Sequence, residues 1–267
     1  MILERMPEGD TIAIAARRLE PLVGRPLEVV ARHPRSAGLQ LERRLAGERL
    51  TRVETRGKHL LLHVGEALVL HVHLRMTGRV DIGPRGRPFA RAASRAWLVL
   101  RTDTHEAVLF DGPVLELLTP AMVSLHPVLR RLGPDVLASD FDARAAAGRL
   151  CTGAPDRAIG AALLDQRLLA GVGNVWRSEA LHAARVHPLC VVHDVADIEL
   201  VGALAWLADA MSARVAGQAE RPTRVYRRTG RPCGTCGALV VSAVVGEEGR
   251  RAYWCETCQP PPAPAPI

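Results

Sequence analysis

Residues 232–259 read PCGTCGALVVSAVVGEEGRRAYWCETCQ, with a Cys-x-x-Cys pair near each end. Eighteen residues separate the two pairs, which is the spacing of a four-thiolate zinc site built on a β-hairpin. In a reducing compartment a pair of disulfides is the poorer alternative. Four protein ligands leave no coordination position for water, so we expect one structural zinc ion per chain. The expected ligands are Cys233, Cys236, Cys255 and Cys258.

Arginine is concentrated around this hairpin. The chain has 35 basic and 28 acidic residues, a net charge of +7, and residues 221–251 hold seven arginines against two glutamates. Clustered arginine neutralises a polyanion and releases its counterions, so the segment favours a phosphate-binding patch with Arg250 and Arg251 at the hairpin tip. A solvated basic face is the alternative.

The hydrophobic pattern upstream of the hairpin changes twice. Residues 7–23 carry a helical stripe that ends at Gly24 and Pro26. Short β-like runs separated by turn residues follow, which predicts a β-sandwich or barrel-like domain over 7–119. The segment 83–95 is predicted to be an exposed loop. The β-like runs are 27–32, 49–54, 58–64, 67–74, 97–101 and 106–110.

After Pro120 the spacing of apolar residues becomes helical. The sequence therefore predicts an α+β multidomain protein with a sandwich, a helical domain over 120–220, a four-cysteine hairpin over 221–260 and a disordered tail at 261–267. The predicted helices are 121–132, 142–150, 157–169, 174–185 and 196–217.

The first ten residues, MILERMPEGD, carry charges where a signal peptide needs an apolar run. His63, Glu66, His71 and His73 interrupt the longest apolar stretches, so no membrane span is expected. We therefore expect a cytoplasmic protein.

Residues 169–175, LAGVGNV, place two glycines and an asparagine between helical stretches. Glycine lets the backbone approach a ligand closely, and a helix beginning at Asn174 points N–H groups and a positive dipole end outward. This combination binds phosphate. A plain helix turn with Asn174 as its N-cap is the alternative.

Pro7 and Glu8 in the stretch MPEGD have two interpretations. Proline and acidic residues are both common in the first turn of a helix. An N-terminal proline, however, also offers a secondary amine, whose iminium with an aldehyde is permanently cationic and favours elimination. An α-amino group has an unperturbed pKa of about 7.7 to 8.0, so part of it is nucleophilic near neutrality. Glu8 could then move protons.

Lys58 is the only lysine in the chain, which makes it a candidate site residue in an arginine-rich protein. A stray surface lysine is the alternative. His71 and His73 share a strand face and could bind a metal, but neutral packing or contact with DNA is the preferred interpretation.

The order and spacing of these motifs resemble the formamidopyrimidine-DNA glycosylase and endonuclease VIII family over essentially the whole chain. The resemblance implies a β-sandwich, a helix-two-turns-helix domain and a zinc finger that hold damaged double-stranded DNA. The matching stretches are PEGD at 7–10, GKHLL at 57–61, HLRMTG at 73–78, DQRLLAGVGNVWRSEALHAARVHP at 165–188, PCGTCG at 232–237 and GRRAYWCETCQ at 249–259.

The resemblance also implies catalytic roles. Pro7 would be the nucleophile, Glu8 the proton donor and acceptor at the sugar, and Lys58 a phosphate contact beside the active site. Arg250, counted back from Cys255, matches the finger arginine of the family best, and Arg251 is the alternate.

Two further residues would bind DNA. Asn174 and the finger arginine would hold the phosphates that flank the lesion, and Met76 would fill the gap left by a flipped base. For Met76, a simple turn residue at a strand end is the alternative.

Two departures from the family pattern bear on the substrate. Residues 111–117 lack the arginine-rich wedge of the formamidopyrimidine branch, which favours endonuclease VIII and oxidised pyrimidines. Thr11 stands where the family often has a second acid.

The expected protein is thus a monomeric bifunctional glycosylase and abasic-site lyase. A non-catalytic zinc-ribbon DNA-binding protein and a lyase without base excision are the alternatives. Met1 to Arg5 precede the motif and would lock the Pro7 nitrogen into an amide, so we expect translation from Met6 and removal of that methionine.

Overall fold

The computed structural model describes residues 7–31, 33–112, 114–247 and 249–261. The chain divides into two compact units, and the division falls between Arg131 and Leu132. The expected extension Met1 to Arg5, the expected start Met6, and the predicted tail apart from Pro261 lie outside the described residues.

Helix α1 (Gly9–Leu19) opens the first unit. Ile12 and Leu19 recur at helical spacing and join the sandwich core. Glu8 precedes the helix, and its carbonyl accepts the Ile12 N–H at 3.1 Å. A 3-10 turn over Glu20–Leu22 continues the predicted stripe in a tighter form.

Two four-stranded antiparallel sheets form the sandwich, in the strand orders β1-β6-β7-β5 and β2-β3-β4-β8. Alternate residues of each strand face the shared core, such as Leu60 and Leu62 in one sheet and Leu98 and Leu100 in the other. The strands are β1 (Glu28–Ala31), β2 (Leu50–Arg56), β3 (His59–Val64), β4 (Leu68–His73), β5 (Arg79–Pro84), β6 (Ala96–Arg101), β7 (His105–Phe110) and β8 (Val114–Leu118). The short helices α2 (Pro34–Ala37) and α3 (Leu41–Leu45) lie between β1 and β2.

Strands β5 and β8 lie outside the predicted runs. β5 includes the charged Arg79 and Asp81 and ends inside the segment that was predicted to be a loop from residue 83. Its pairing with β7, with Asp81 opposite Val108, supplies hydrogen bonds that the local pattern does not indicate.

The outer face of the sheet β2-β3-β4-β8 packs against helix α4 (Pro120–Leu125), and a 3-10 turn at Leu129–Arg131 follows the helix. The predicted helix over 121–132 is wrong in its second half. His126 precedes Pro127 and adopts an extended conformation with ψ 125°, which ends the helix.

The second unit begins with helices around a core that includes Trp176 and Leu204. Its helices are α5 (Ala143–Gly153), α6 (Ile159–Ala162), α7 (Asn174–Ala183) and α8 (Asp197–Val215). Among the described residues, no helix combines the length and the apolarity that crossing a bilayer requires.

The predicted helix over 157–169 is wrong, because only α6 is helical there. Side chains take part in the turns that follow α6. Asp165 Oδ1, rather than a backbone carbonyl, accepts the Arg167 N–H at 3.0 Å. The Gln166 side chain donates to the carbonyls of Leu164 and Val172 at 2.9 and 3.0 Å. The chain therefore makes two turns before α7.

A hairpin of strands β9 (Val241–Val245) and β10 (Arg250–Trp254) confirms the predicted cysteine-bearing hairpin. The strands pair antiparallel, with Arg250 opposite Val245 and Arg251 opposite Val244.

Candidate active site and metal centre

Pro7 and Glu8 lie directly before α1 in the first unit. Glu8 is 1% exposed and Pro7 is partly buried. The Glu8 side chain makes no capping hydrogen bond to the helix, although it is the residue at the cap position. A buried carboxylate next to a proline nitrogen along the chain is suited to proton transfer at an amine adduct.

Lys58 occupies the turn between β2 and β3, where Gly57 has a φ of 56° that favours glycine. The lysine is partly buried. Its positive charge contributes to lowering the pKa of both His59 and His73, so it lies close to these imidazoles. The single lysine therefore stands beside the buried His59 and the partly buried His73.

These histidines follow the strand alternation, with His71 and His73 on one face of β4. Burial, with the nearby charge of His73, lowers the pKa of His59 to about 2. Burial, with the charges of Arg75 and Lys58, lowers the pKa of His73 to about 4. Burial also lowers the pKa of His71, against the opposing effect of Glu116. The three imidazoles are therefore neutral at pH 7.

Met76 lies in the loop after β4 and is 48% exposed. Arg75 before it has a φ of 46°, which turns the chain sharply at the strand end. Met76 is thus a flexible apolar side chain at the protein surface. A side chain that inserts between bases has these properties.

The four cysteines come together in the second unit. Their Sγ atoms all lie within 4.8 Å of one another, and those of Cys236 and Cys255 are 3.5 Å apart. Tetrahedral zinc with Zn–S bonds of about 2.3 Å places its sulfurs about 3.8 Å apart. The four thiols of Cys233, Cys236, Cys255 and Cys258 therefore fit one metal ion.

A helix of the same unit packs on the cysteine cluster. His182, on α7, has its Nε2 atom 3.3 Å from the Cys233 Sγ. An N–H at Nε2 would donate to the sulfur of a bound thiolate and orient it.

Asn174 is the first residue of α7, as the motif predicted, but Gly173 takes the cap position. The Asn174 side-chain amide donates to the carbonyl of Arg251 at 3.0 Å. The fully buried Arg177 also donates to the Arg251 carbonyl, at 2.8 Å. It donates in addition to the Gly160 carbonyl at 2.8 Å and to the side-chain oxygen of Asn174. These bonds thus join α7, the predicted phosphate-binding helix, to the β9-β10 hairpin, called the finger hairpin below.

Glu179 forms a second link between α7 and the finger. Its carboxylate is 1% exposed and accepts three backbone N–H groups. The donors are Arg224 at 2.9 Å, Val225 at 3.0 Å and Tyr226 at 2.8 Å. One buried side chain therefore holds the backbone of residues 224–226, where the finger segment (residues 221–260) begins.

The two candidate finger arginines have different surroundings. Arg250 lines a cleft of about 490 Å³ together with Arg157 and Arg167. Arg251 donates to the hydroxyl of Ser242 at 3.1 Å across the hairpin. Asp165 pairs with Arg157 and Arg167 at 2.9 and 2.6 Å, and hydrogen bonding to Arg167 holds the pKa of Asp165 well below its usual range.

Arg177, Glu179 and His182 were missed by the sequence analysis as site residues. Their common signal is that α7 carries the polar residues Arg177, Glu179 and His182 although all three positions are buried. All three are buried, so each needs a polar partner from another element.

Two family models match stretches that together cover most of the chain. Residues 6–113 match the formamidopyrimidine-DNA glycosylase N-terminal domain, and residues 132–221 match the formamidopyrimidine-DNA glycosylase H2TH domain. A protein of Mycobacterium tuberculosis named endonuclease 8 2 is 38% identical over 267 residues, covering 95% of this chain and 100% of that protein.

A DNA-(apurinic or apyrimidinic site) lyase of Mycolicibacterium smegmatis is 35% identical over 263 residues, covering 95% of this chain and 99% of that protein. The fold is that of the Lactococcus lactis formamidopyrimidine-DNA glycosylase solved with abasic-site DNA, with a TM-score of 0.80, 24% identity, and coverage of 95% of this chain and all of that one. The chain therefore belongs to the formamidopyrimidine-DNA glycosylase and endonuclease VIII family.

Proposed function

We propose that this protein is a bifunctional DNA glycosylase and abasic-site lyase of base-excision repair, of the endonuclease VIII type. The observation that carries the proposal is the Pro7–Glu8 pair at the start of α1, with Glu8 buried. It occurs in a chain that aligns over nearly its whole length with an endonuclease 8 and with an abasic-site lyase.

In the proposed reaction the free amine of Pro7 attacks C1′ of the damaged nucleotide. The bond from C1′ to the base breaks, and the base leaves with the electron pair and takes the amine proton. Glu8 protonates the ring oxygen, the C1′–O4′ bond breaks, and the nitrogen lone pair forms an iminium. The Glu8 carboxylate then takes a C2′ proton, and the C3′–O3′ bond breaks, which releases the 3′-phosphate and cuts the strand. Water hydrolyses the iminium to restore the amine.

The remaining residues hold the substrate in this proposal. Lys58 contacts a phosphate beside the reacting sugar, and Asn174 and Arg250 hold phosphates that flank the lesion. Met76 fills the space that the flipped base leaves. The absence of an arginine-rich wedge in 111–117 favours oxidised pyrimidines, and the substrate is damaged duplex DNA bound by a monomer.

Zinc is the metal that the four cysteines would hold, because four thiolates in a closed tetrahedral set select it. Bound zinc would supply folding energy to the finger rather than chemistry at the sugar. The enzyme is proposed to work in the cytoplasm, where DNA and reduced cysteines occur together.

The test compares two forms of the protein, one translated from Met1 and one from Met6. Each is checked for its N-terminal mass and treated with borohydride on abasic DNA, which traps a Schiff base covalently. We expect the Met6 form to begin at Pro7 and to be trapped, and a form that retains Met1 to remain untrapped, because an amide nitrogen is not nucleophilic.

The other outcomes select the alternatives. Equal trapping of a chain shown to retain Met1 would exclude Pro7 and leave Lys58 as the only candidate side-chain amine. No trapping of a Pro7 chain would indicate a non-catalytic zinc-ribbon protein. Trapping on abasic DNA without excision on a panel of single-lesion duplexes would indicate a lyase alone.

A further inference from the structure

A cluster of titratable side chains lies outside the proposed reaction, on the outer face of the sheet β2-β3-β4-β8. His71 on β4 and Glu116 on β8 are opposite one another in the strand register. Both point away from the sandwich core, because Val72 and Leu117 beside them point into it. His126, just after α4, meets them from the segment that covers this face.

The three side chains converge as metal ligands do. The distance from His71 Nδ1 to Glu116 Oε2 is 2.7 Å, and that from His126 Nε2 to the same oxygen is 3.2 Å. The three ligand atoms lie within 4.8 Å of one another. Tetrahedral zinc with bonds of about 2.1 Å to nitrogen and oxygen separates its ligands by about 3.4 Å, so small side-chain movements would admit an ion.

His59 gives this cluster an outer hydrogen bond. Its Nδ1 atom is 2.8 Å from the Nε2 atom of His71, and both imidazoles are buried. When Nδ1 of His71 binds a metal, Nε2 of His71 carries the proton and donates a hydrogen bond to Nδ1 of His59. A histidine ligand is oriented in this way at metal sites in general.

A neighbouring pair on the same sheet shows the contrast. His63 contacts Glu54 at 3.0 Å, but Arg52 and Arg56 also bind that carboxylate, at 3.0 and 2.6 Å. The negative charge of Glu54 is therefore already neutralised. Within the described part of the chain, the carboxylate of Glu116 has histidine partners and no arginine or lysine partner.

We infer that His71, Glu116 and His126 bind one divalent transition-metal ion, zinc above all, at a site separate from the four cysteines. Two imidazoles and a carboxylate suit zinc and its first-row neighbours. Three protein ligands leave a coordination position for water, and Glu116 is 42% exposed, so solvent reaches the site. The ion joins β4 and β8 to the segment that follows α4.

The test counts metal ions on the full chain. After equilibration with zinc and removal of free metal, the wild-type protein is expected to hold two ions per chain. Glu116→Gln and His126→Gln should each hold one, and the matched control His63→Gln should hold two. Circular dichroism and thermal unfolding show whether each variant is folded.

Cobalt distinguishes the two sites by their ligands. The first equivalent should give the sulfur-to-cobalt charge-transfer band of the cysteine site. The second should give only weak visible bands, and these should disappear in Glu116→Gln and His126→Gln. One ion per wild-type chain, a second equivalent with sulfur bands, or two ions in both folded variants would each overturn the inference.

Discussion

Glu8 in the first unit and Glu179 in the second are equally buried, at 1% exposure. Glu8 directly precedes α1, and Glu179 lies within α7. The carboxylate of Glu179 accepts three backbone N–H groups and holds the finger segment. Glu8 follows Pro7, and its side chain makes no capping hydrogen bond to α1. Burial of an acid therefore does not identify its role, whereas the groups around its carboxylate do.

The largest expected effect comes from Glu8→Gln, which removes a proton donor and keeps the size of the side chain. We expect base excision and borohydride trapping to slow by about 10² to 10⁴-fold, the usual contribution of general acid–base catalysis. Single-turnover kinetics on a Pro7 chain measures this loss. Binding to a duplex with an uncleavable abasic analogue should stay the same, and unchanged kinetics with lowered stability would make Glu8 a structural acid like Glu179.

Glu179→Ala should act on stability instead. It leaves the buried N–H groups of Val225 and Tyr226 without an acceptor, at about 1 to 3 kcal/mol each, and removes the part-buried bond from Arg224, so the free energy of unfolding should fall by at least about 2 kcal/mol. Tryptophan fluorescence in a urea titration reports this, because Trp176, Trp206 and Trp254 all lie in the second unit.

Glu179→Gln is the matched control. It keeps one oxygen acceptor for the N–H groups of Val225 and Tyr226 and should recover part of the lost stability. A fully stable Glu179→Ala protein would show that the three hydrogen bonds are replaced by solvent, and the contrast with Glu8 would disappear.

The smallest expected effect concerns the finger that Glu179 holds. Arg250→Ala should weaken binding to damaged and undamaged duplex alike and reduce the slope of log affinity against log salt by about one unit. Arg251→Ala should change the slope less, because the Arg251 guanidinium already donates to Ser242. Titrations at several salt concentrations decide this, and the reverse order would make Arg251 the finger arginine.

The sequence predicted the parts of the fold that depend on local patterns. The stripe of α1, six of the eight sandwich strands, the start of α7 and the finger hairpin all agree with the structure. β5 was missed because its charged residues hide a strand that pairing with β7 stabilises. The helix predicted over 157–169 was wrong because the apolar spacing does not show that the Asp165 side chain takes the Arg167 N–H and the Gln166 side chain donates to the Leu164 carbonyl.

The same distinction between local patterns and distant contacts applies to the residues of the candidate site. The cysteines are recognised by spacing, and the structure brings all four together. The roles of Pro7 and Glu8 stay predictions that the experiments above test, and the role of Lys58 also stays a prediction. Glu179 was missed because its partners are at least 45 residues away in sequence, so no local pattern indicates that its carboxylate is satisfied.

The four cysteines are unequally sheltered, and this matters for their redox chemistry. Cys233 and Cys255 are buried, and Cys233 lies against His182, whereas Cys236 is exposed. Oxidants attack the most accessible thiolate first, so peroxide reaches Cys236 before the other three. Formation of a sulfenic acid there would remove one of the four thiolates and weaken the binding of a metal ion at this site. Oxidants that damage DNA would thus also disrupt the cysteine cluster, and the Sγ atom of Cys236 would be their first point of attack.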